Sequence, residues 1–138
     1  MTVERVKDWM TPNPYSVSSR TKLVNAYALM KEKNVRRLPV VDEDGLVGIL
    51  TITDIRTVTP MGSLHMLQHN NVLGHTRVER VMSRDPLTVD PNDPLATASK
   101  LLMKHKYGGL PVVADGQLIG IITESDIFRY VIKSQENE

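Results

Sequence analysis

The sequence predicts a mixed α/β (α+β) protein in which one β-α-β-β-α unit occurs twice in tandem. Three observations support this prediction: an internal repeat, apolar residues at helical spacing, and pairs of apolar runs separated by a turn. At an offset of 72 residues, residues 6–58 align with residues 78–130 without a gap, and 17 of the 53 positions are identical. A long period that occurs only twice indicates two copies packed about a pseudo-two-fold axis, and not an open repeat array.

Size and composition narrow the classes of protein. The 138 residues are 41% hydrophobic, enough to fill a modest core. The longest apolar stretches are about five residues, whereas a membrane-spanning helix needs about 20, and the charged first ten residues do not resemble a secretory signal. We therefore predict a cytoplasmic protein with no membrane partner. The net charge of +1 does not favour nucleic acid, and the absence of cysteine excludes disulfides and thiol chemistry.

The repeat divides the chain into four segments. We predict repeat 1 over residues 1–58, a linker over 59–77, repeat 2 over 78–132 and a polar tail over 133–138. In the linker, Leu64, Leu67 and Gln68 are spaced for a short helical turn, and Asn70-Asn71 for a break.

Each copy begins with an extended stretch, Tyr15-Ser16-Val17 or Leu87-Thr88-Val89, that leads into a helix. Thr21 and Asp93 occupy the equivalent position at which we expect an N-cap, and Pro94 suits the first helical turn. The apolar residues at helical spacing predict the buried face of each helix: Leu23, Ala26, Tyr27 and Met30, and then Leu95, Ala98, Leu101 and Leu102.

A hairpin and a second helix complete each copy. Gly108-Gly109 suits the end of the first helix in copy 2, where copy 1 has Arg36-Arg37. Two apolar runs then follow in each copy, LPVV with LVGIL and LPVV with LIGII, and an Asp-Gly turn separates them. This pattern predicts a β-hairpin. A Thr-x-x-Asp turn, Thr51 to Asp54 or Thr123 to Asp126, opens the closing helix.

Each copy has the same order: strand, helix, LPVV, hairpin and the motif GIhTxxDh, in which h is an apolar residue and x is any residue. Two copies in this order resemble a tandem pair of CBS domains, or Bateman module. The resemblance covers essentially the whole chain. The segments RRLPVVDEDGLVGILTITDIR, GGLPVV and GIITESDIF are more narrowly similar to the CBS pair of acetoin-utilisation-type proteins. The resemblance implies a regulatory homodimer that binds AMP, ADP or ATP in clefts between the copies. Ligand occupancy would change the geometry that an effector protein reads.

The resemblance also implies which residues bind the ligand. The Asp of each Thr-x-x-Asp motif would hold the ribose hydroxyls, and the hydroxyl residues before it would meet phosphate: Asp54 with Thr51 and Thr53, and Asp126 with Thr123 and Ser125. The opposite walls would comprise Arg36, Arg37, Leu38 and Pro39, or Gly108, Gly109, Leu110 and Pro111. The other copy would contribute Ser16, Thr21 and Ala26, or Thr88, Asp93 and Ala98.

Elementary chemistry supports these roles. A carboxylate can accept two hydrogen bonds from a vicinal diol, and a helix N-terminus attracts phosphate. Arg129, three residues after Asp126, could reach a phosphate bidentately. Copy 1 has Thr57 at that position and has the Arg36-Arg37 pair that copy 2 lacks. We therefore expect two sites that are not equivalent.

Other interpretations remain open. Each Thr-x-x-Asp turn also matches a helix capping box, which needs no ligand, and the chain would then be a ligand-free dimerisation scaffold. A CBS pair could instead bind S-adenosylmethionine, a dinucleotide or single-stranded nucleic acid. Arg36-Arg37 also suits a solvated helix end.

Metal and enzyme chemistry have little support in the sequence. His65, His69 and His75 have no nearby carboxylate, so we predict no metal site. No nucleophile elbow, P-loop or zinc-protease motif occurs, so we predict no catalytic residue, no catalytic cofactor and no enzyme.

Overall fold

The computed structural model describes residues 3–58 and 71–136, and it confirms a mixed architecture of helices and strands. The helices are α1 (Val6–Trp9), α2 (Leu23–Lys33), α3 (Ile52–Thr57), α4 (Asn71–His75), α5 (Leu95–His105) and α6 (Glu124–Glu136). The strands are β1 (Thr11–Pro12), β2 (Arg37–Asp42), β3 (Gly45–Thr51), β4 (Ser83–Arg84), β5 (Gly109–Ala114) and β6 (Gln117–Thr123). The helical turn predicted at Leu64, Leu67 and Gln68 lies outside the described residues, as does Asn70. None of the described helices is long and apolar enough to cross a bilayer.

The strands form two three-stranded antiparallel sheets, with the orders β2-β3-β4 and β1-β6-β5. Both predicted hairpins are confirmed and share one register, in which Arg37 pairs with Thr51 and Gly109 pairs with Thr123. The turns differ. Asp115 and Gly116 both have positive φ (52° and 78°), the pattern of a type I′ turn, whereas in the first hairpin positive φ is confined to Gly45 (108°).

The extended stretch predicted at the start of each copy forms a single bridge and not a strand. Val17 makes an isolated parallel bridge with Val40, in which its amide donates to the carbonyl oxygen of Pro39 at 3.1 Å. The pairing cannot continue toward the N-terminus because Pro39 has no N–H to donate. Val89 and Pro111 repeat this arrangement in the second copy.

The predicted N-caps are wrong by one residue. The residues at the N-cap positions of α2 and α5 are Lys22 and Pro94, and neither makes a side-chain cap hydrogen bond. Instead, the hydroxyl of Thr21 accepts from the amide of Ser18 at 3.1 Å, so it closes the turn before the helix. Asp93 does the same for the amide of Asp90, at 2.9 Å.

Carbonyl groups from distant segments satisfy the first amides of these helices. The amide of Leu23 donates to the carbonyl of Thr76, and the amide of Leu95 donates to the carbonyl of Glu4, both at 2.8 Å. A helix leaves its first four amides without intrahelical partners. The chain therefore meets part of this need through tertiary backbone hydrogen bonds.

The predicted helix end at Gly108-Gly109 is also wrong. The helices α2 and α5 end at equivalent left-handed residues, Asn34 (φ 54°) and Lys106 (φ 56°). The carbonyl of Gly108 accepts from the amide of Glu124 at 3.2 Å, and the carbonyl of Arg36 accepts the equivalent bond from the amide of Ile52 at 2.9 Å. This position therefore ties the start of the hairpin to the start of the closing helix.

The chain forms two compact units. One comprises Tyr15–Pro86, and the other combines Met1–Pro14 with Leu87–Glu138. Within each unit, a short strand from one sequence repeat pairs with the hairpin of the other repeat: β4 with β3, and β1 with β6. The division of the chain in space therefore differs from its division into sequence repeats.

Each unit has its own apolar core, which confirms the predicted buried helix faces except at Tyr27 and Leu101, which are half-buried and pack against these cores. The first core contains Leu23, Ala26, Met30, Leu38, Val40, Leu50, Ile55, Leu73, Val78 and Met82. The second contains Val6, Val89, Leu95, Ala98, Leu102, Leu110, Val112 and Ile122. In both, an amphipathic helix packs on the hairpin and fixes the strand end at which the Thr-x-x-Asp turn begins.

Candidate functional site

The turn between β3 and α3 holds Asp54 by a capping box. Its Oδ2 atom accepts from the amide of Thr51 at 2.9 Å, and its own amide donates to the Thr51 hydroxyl at 3.1 Å. Within residues 3–58 and 71–136, the Oδ1 atom of Asp54 accepts no hydrogen bond, and the side chain is half-buried. Asp54 is therefore fixed in position and keeps one oxygen available to a ligand.

The equivalent Asp126, between β6 and α6, is far more engaged. Its Oδ2 atom accepts from the amide of Thr123 at 2.8 Å and from the Thr123 hydroxyl at 3.0 Å, and its own amide donates to that hydroxyl at 3.4 Å. Its Oδ1 atom accepts from the guanidinium of Arg129 at 3.2 Å. Asp126 is buried, with 6% of its surface exposed. Both turns therefore have the reciprocal hydrogen bonds of a helix capping box.

Arg129 ties α6 to the N-terminal segment within its unit. Its Nη2 atom donates to the carbonyl of Trp9 at 2.7 Å as well as to Asp126, and its guanidinium carbon lies 5.5 Å from the centre of the Trp9 ring. The rings of Trp9 and Tyr130 pack edge to face with their centres 5.3 Å apart, and Nε1 of Trp9 donates to the carboxylate of Glu4 at 3.0 Å. The guanidinium thus sits between a carboxylate, a carbonyl and an aromatic face.

Copy 1 has no counterpart to this arrangement. Thr57 occupies the position equivalent to Arg129, and its hydroxyl donates to the carbonyl of Asp54 at 2.6 Å. The two turns therefore present different chemistry, as the sequence led us to expect: one carboxylate accepts a single hydrogen bond and the other accepts three, among the described residues.

The hairpin register brings several predicted site residues together. Arg37 is directly across from Thr51, and Gly109 is directly across from Thr123. Arg36, Thr53 and Ser125 are exposed beside these turns, whereas Arg37 and Gly108 are half-buried. The other predicted wall residues, Leu38, Pro39, Leu110 and Pro111, are buried within the hairpins.

The remaining predicted residues are distributed over the two units. Ser16 and Thr88 are exposed, and Thr21 and Asp93 are half-buried and close their local turns. Ala26 and Ala98 are fully buried, one in each core.

One polar contact that the sequence did not indicate lies at the end of the first hairpin. Asp42 accepts from the amide of Ser19 at 2.9 Å. The Ser19 hydroxyl, the Ser19 amide and the charge of Arg20 hold the pKa of the Asp42 carboxyl below its ordinary value. The second copy has Ala114 at the equivalent position, so this contact belongs to copy 1 alone.

The described part of the chain contains no group of three His, Asp or Glu side chains that could hold a metal ion. His65 and His69 lie outside the described residues.

Comparisons with known proteins identify relatives along nearly the whole chain. The model of the CBS domain family matches residues 6–59 and 78–133. A CBS domain-containing protein of Dictyostelium discoideum is 34% identical over 135 residues, which cover 95% of this chain and 93% of that protein. The inosine-5'-monophosphate dehydrogenase of Korarchaeum cryptofilum is 31% identical over 127 residues, 91% of this chain but 24% of the enzyme. In that enzyme the matching region is a minor part.

Solved structures agree with the fold. A Vibrio cholerae protein assigned to acetoin utilization (AcuB) superimposes with a TM-score of 0.82 at 32% identity, covering 98% of this chain and 95% of its own. CBSX2 of Arabidopsis thaliana in complex with AMP superimposes with a TM-score of 0.77 at 33% identity, and the match covers 95% of this chain and 98% of CBSX2. The CBS domain pair of protein MJ0100, in complex with 5'-methylthioadenosine and S-adenosyl-L-methionine, superimposes with a TM-score of 0.78 at 27% identity. The match covers 96% of this chain and 99% of the MJ0100 pair.

Proposed function

This chain belongs to the CBS domain family as a tandem pair, and from that premise we propose that it is a regulatory module for an adenine nucleotide. The ligand would be AMP, ADP or ATP, held at the Thr-x-x-Asp turns, and occupancy would be signalled by a change in conformation or oligomeric state. The observation that carries the proposal is the carboxylate of Asp54, which is anchored through one oxygen while the other oxygen accepts no hydrogen bond from the described residues.

This geometry supports the proposed recognition of a ribose. A ribose presents two neighbouring hydroxyl groups, and a carboxylate accepts hydrogen bonds from both. The capping box fixes Asp54 before the ligand arrives, so little side-chain freedom is lost on binding. The bound ligands of two relatives support the choice of ligand class, because AMP, 5'-methylthioadenosine and S-adenosylmethionine share the adenosine group.

Phosphate recognition would use polar groups near the same turn. Thr51 and Thr53 supply hydroxyls, and Arg36 supplies an exposed guanidinium at the end of the hairpin nearest the turn. Arg37, directly across from Thr51, would add a second charge. In copy 2, glycines replace both arginines, and Thr123, Ser125 and Arg129 would meet the phosphate instead.

The same ribose device leaves S-adenosylmethionine as the second candidate ligand, because one relative was crystallised with it. The two arginines before LPVV favour a nucleotide, since the positive sulfonium group of S-adenosylmethionine gains nothing from a guanidinium. We expect no catalytic role for this chain by itself.

We further propose that the module is a homodimer whose state an effector protein reads. An apolar stripe on α6 would supply part of its contact surface. It consists of Phe128, Val131 and Ile132, which are 62%, 45% and 56% exposed. These residues are three and four positions apart, so they lie on one face of the helix.

The test is calorimetric titration of the protein with AMP, ADP, ATP and S-adenosylmethionine. Asp54→Asn is the sharpest variant, because the amide oxygen can still accept from the Thr51 backbone while the amide nitrogen cannot accept from a ribose. We expect saturable binding that this variant weakens by at least tenfold at its own site, with little change in stability. The absence of heat with every ligand, in a folded protein, would make the chain a scaffold.

A further inference from the structure

We propose that Arg129 determines which ligands the Asp126 turn accepts, admitting adenosine ligands that carry phosphate and disfavouring uncharged adenosine. The inference rests on the proposed function, and it assigns a class of ligand to each turn. The Asp54 turn would accept the ribose of either kind of ligand.

The first step concerns the carboxylate oxygens. On Asp126, Oδ2 already accepts two hydrogen bonds from Thr123, and Oδ1 accepts from Arg129. A carboxylate oxygen accepts about two hydrogen bonds, so Asp126 has one acceptor position left, on Oδ1. A ribose diol donates two hydrogen bonds and therefore competes with the guanidinium for the second position. On Asp54 the equivalent oxygen has no partner within the described ranges, so a diol binds there without displacing a protein group.

The second step concerns the guanidinium after displacement. The Arg129 side chain is 53% exposed, so it can leave Asp126 without repacking the core. The displaced guanidinium has then lost its ion pair and keeps the neutral Trp9 carbonyl and solvent as partners. A phosphate on the ligand supplies an anionic partner through charge-assisted hydrogen bonds, which are stronger than neutral ones. Uncharged adenosine makes the same ribose contact and breaks the same ion pair, but it gives the guanidinium no anionic partner.

The third step gives an optical signal. Trp9 is the single tryptophan of the chain, and the guanidinium of Arg129 lies over its ring. Movement of Arg129 toward a phosphate changes the charge beside the indole. Binding of AMP at the Asp126 turn should therefore change the fluorescence of Trp9, and binding at the Asp54 turn should not do so through this contact.

The experiment uses the Asp54→Asn protein, which leaves the Asp126 turn as the intact site, and titrates it with AMP and with adenosine. We expect AMP to bind at least tenfold more tightly than adenosine and to change the Trp9 emission. Adding Arg129→Thr should weaken AMP by about tenfold, strengthen adenosine severalfold and abolish the emission change. Arg129→Lys keeps the charge, so it should retain most of the AMP affinity.

The matched control is Thr57→Arg in the Asp126→Asn protein, which places a guanidinium at the equivalent position of copy 1. It should weaken adenosine more than AMP. Thermal melting of each variant confirms that it is folded before titration.

The outcomes separate the two proposals. If the unmodified protein binds none of AMP, ADP, ATP and adenosine, the proposed function fails. If it binds AMP but Asp54→Asn binds neither ligand, the inference fails, because the Asp126 turn then accepts no phosphorylated ligand. The inference also fails if Arg129→Thr changes the affinities for AMP and adenosine in the same direction or not at all.

Discussion

Met10 lies so close to Gly120 that a Cβ atom on the glycine would come within 2.5 Å of the methionine sulfur. Met82 and Gly48 repeat the relationship, also at 2.5 Å, in the other unit. Each glycine belongs to the hairpin of one sequence repeat, and each methionine to the segment that begins the other repeat. The glycine of the GIhT motif is thus needed because another segment of backbone passes directly over it.

Substitution of either glycine by alanine should destabilise the fold. In Gly120→Ala the new methyl group meets the sulfur of Met10 and also the carbonyl oxygen of Thr11, at 3.0 Å. Overpacking of this kind costs about 1–3 kcal/mol. Urea denaturation of Gly120→Ala and Gly48→Ala should show losses of this size in the free energy of unfolding.

Gly74→Ala is the control, because among the described residues, apart from its chain neighbours and its own helix backbone, no atom lies within 4 Å of the position of its Cβ. Gly74 lies in helix α4, so this change should be neutral or stabilising, by up to about 1 kcal/mol. Equal stabilities for Gly74→Ala and Gly120→Ala would contradict the close-contact explanation.

The aspartates should contribute to stability independently of any ligand. Asp54→Ala removes the acceptor for the Thr51 amide, and the loss of a helix cap costs about 0.5–2 kcal/mol. Asp54→Asn keeps an acceptor oxygen, so its unfolding free energy should stay close to that of the unmodified protein. Denaturation without ligand checks both values. A loss in Asp54→Asn as large as that in Asp54→Ala would mean that the carboxylate charge itself supports the turn.

The parts of the fold that the sequence predicts well are governed by local patterns. The hairpins follow from two apolar runs and a short turn, and the buried faces of α2 and α5 follow from helical spacing. The errors arise where a distant segment of the chain supplies the hydrogen-bond partner that a helix end requires. Thr21 is no N-cap because the carbonyl of Thr76 accepts from the first amide of α2, and no local pattern in the sequence indicates that carbonyl.

In the candidate site, too, the features set by local sequence are predictable and those set by distant contacts are not. The carboxylate turns are recognisable from the repeated Thr-x-x-Asp motif. The tie between Arg129 and the Trp9 carbonyl joins residues 120 positions apart, so the sequence alone left Arg129 as a free phosphate ligand. The structure instead shows that the guanidinium already has partners.

The proposed homodimer should depend on the apolar stripe of α6. Ile132→Asp places a charge within that stripe, and burial of an unpaired charge is strongly unfavourable. Light scattering after gel filtration should show a dimer for the unmodified protein and a monomer for this variant. Met103→Asp is the control, because Met103 is an exposed apolar residue on α5, with 81% of its surface accessible. An unmodified protein that is monomeric at high concentration would contradict the proposal.

The contact between Asp42 and Ser19 should make stability depend on pH at the acid end. Hydrogen bonds from Ser19 and the nearby Arg20 hold the pKa of Asp42 below its ordinary value of 3.8. The unfolded chain therefore takes up a proton at Asp42 at a higher pH than the folded chain does. The stabilisation is fully present above the unfolded pKa and is lost as the pH falls through the folded pKa.

Asp42→Asn isolates this contribution, because the amide oxygen can still accept from Ser19 but does not titrate in this range. The unmodified protein should be more stable than Asp42→Asn at pH 6, and the difference should shrink as the pH falls below about 4. Urea denaturation of both proteins between pH 6 and pH 2.5 measures it. A difference that stays constant over this range would show that ionisation of Asp42 does not contribute to it.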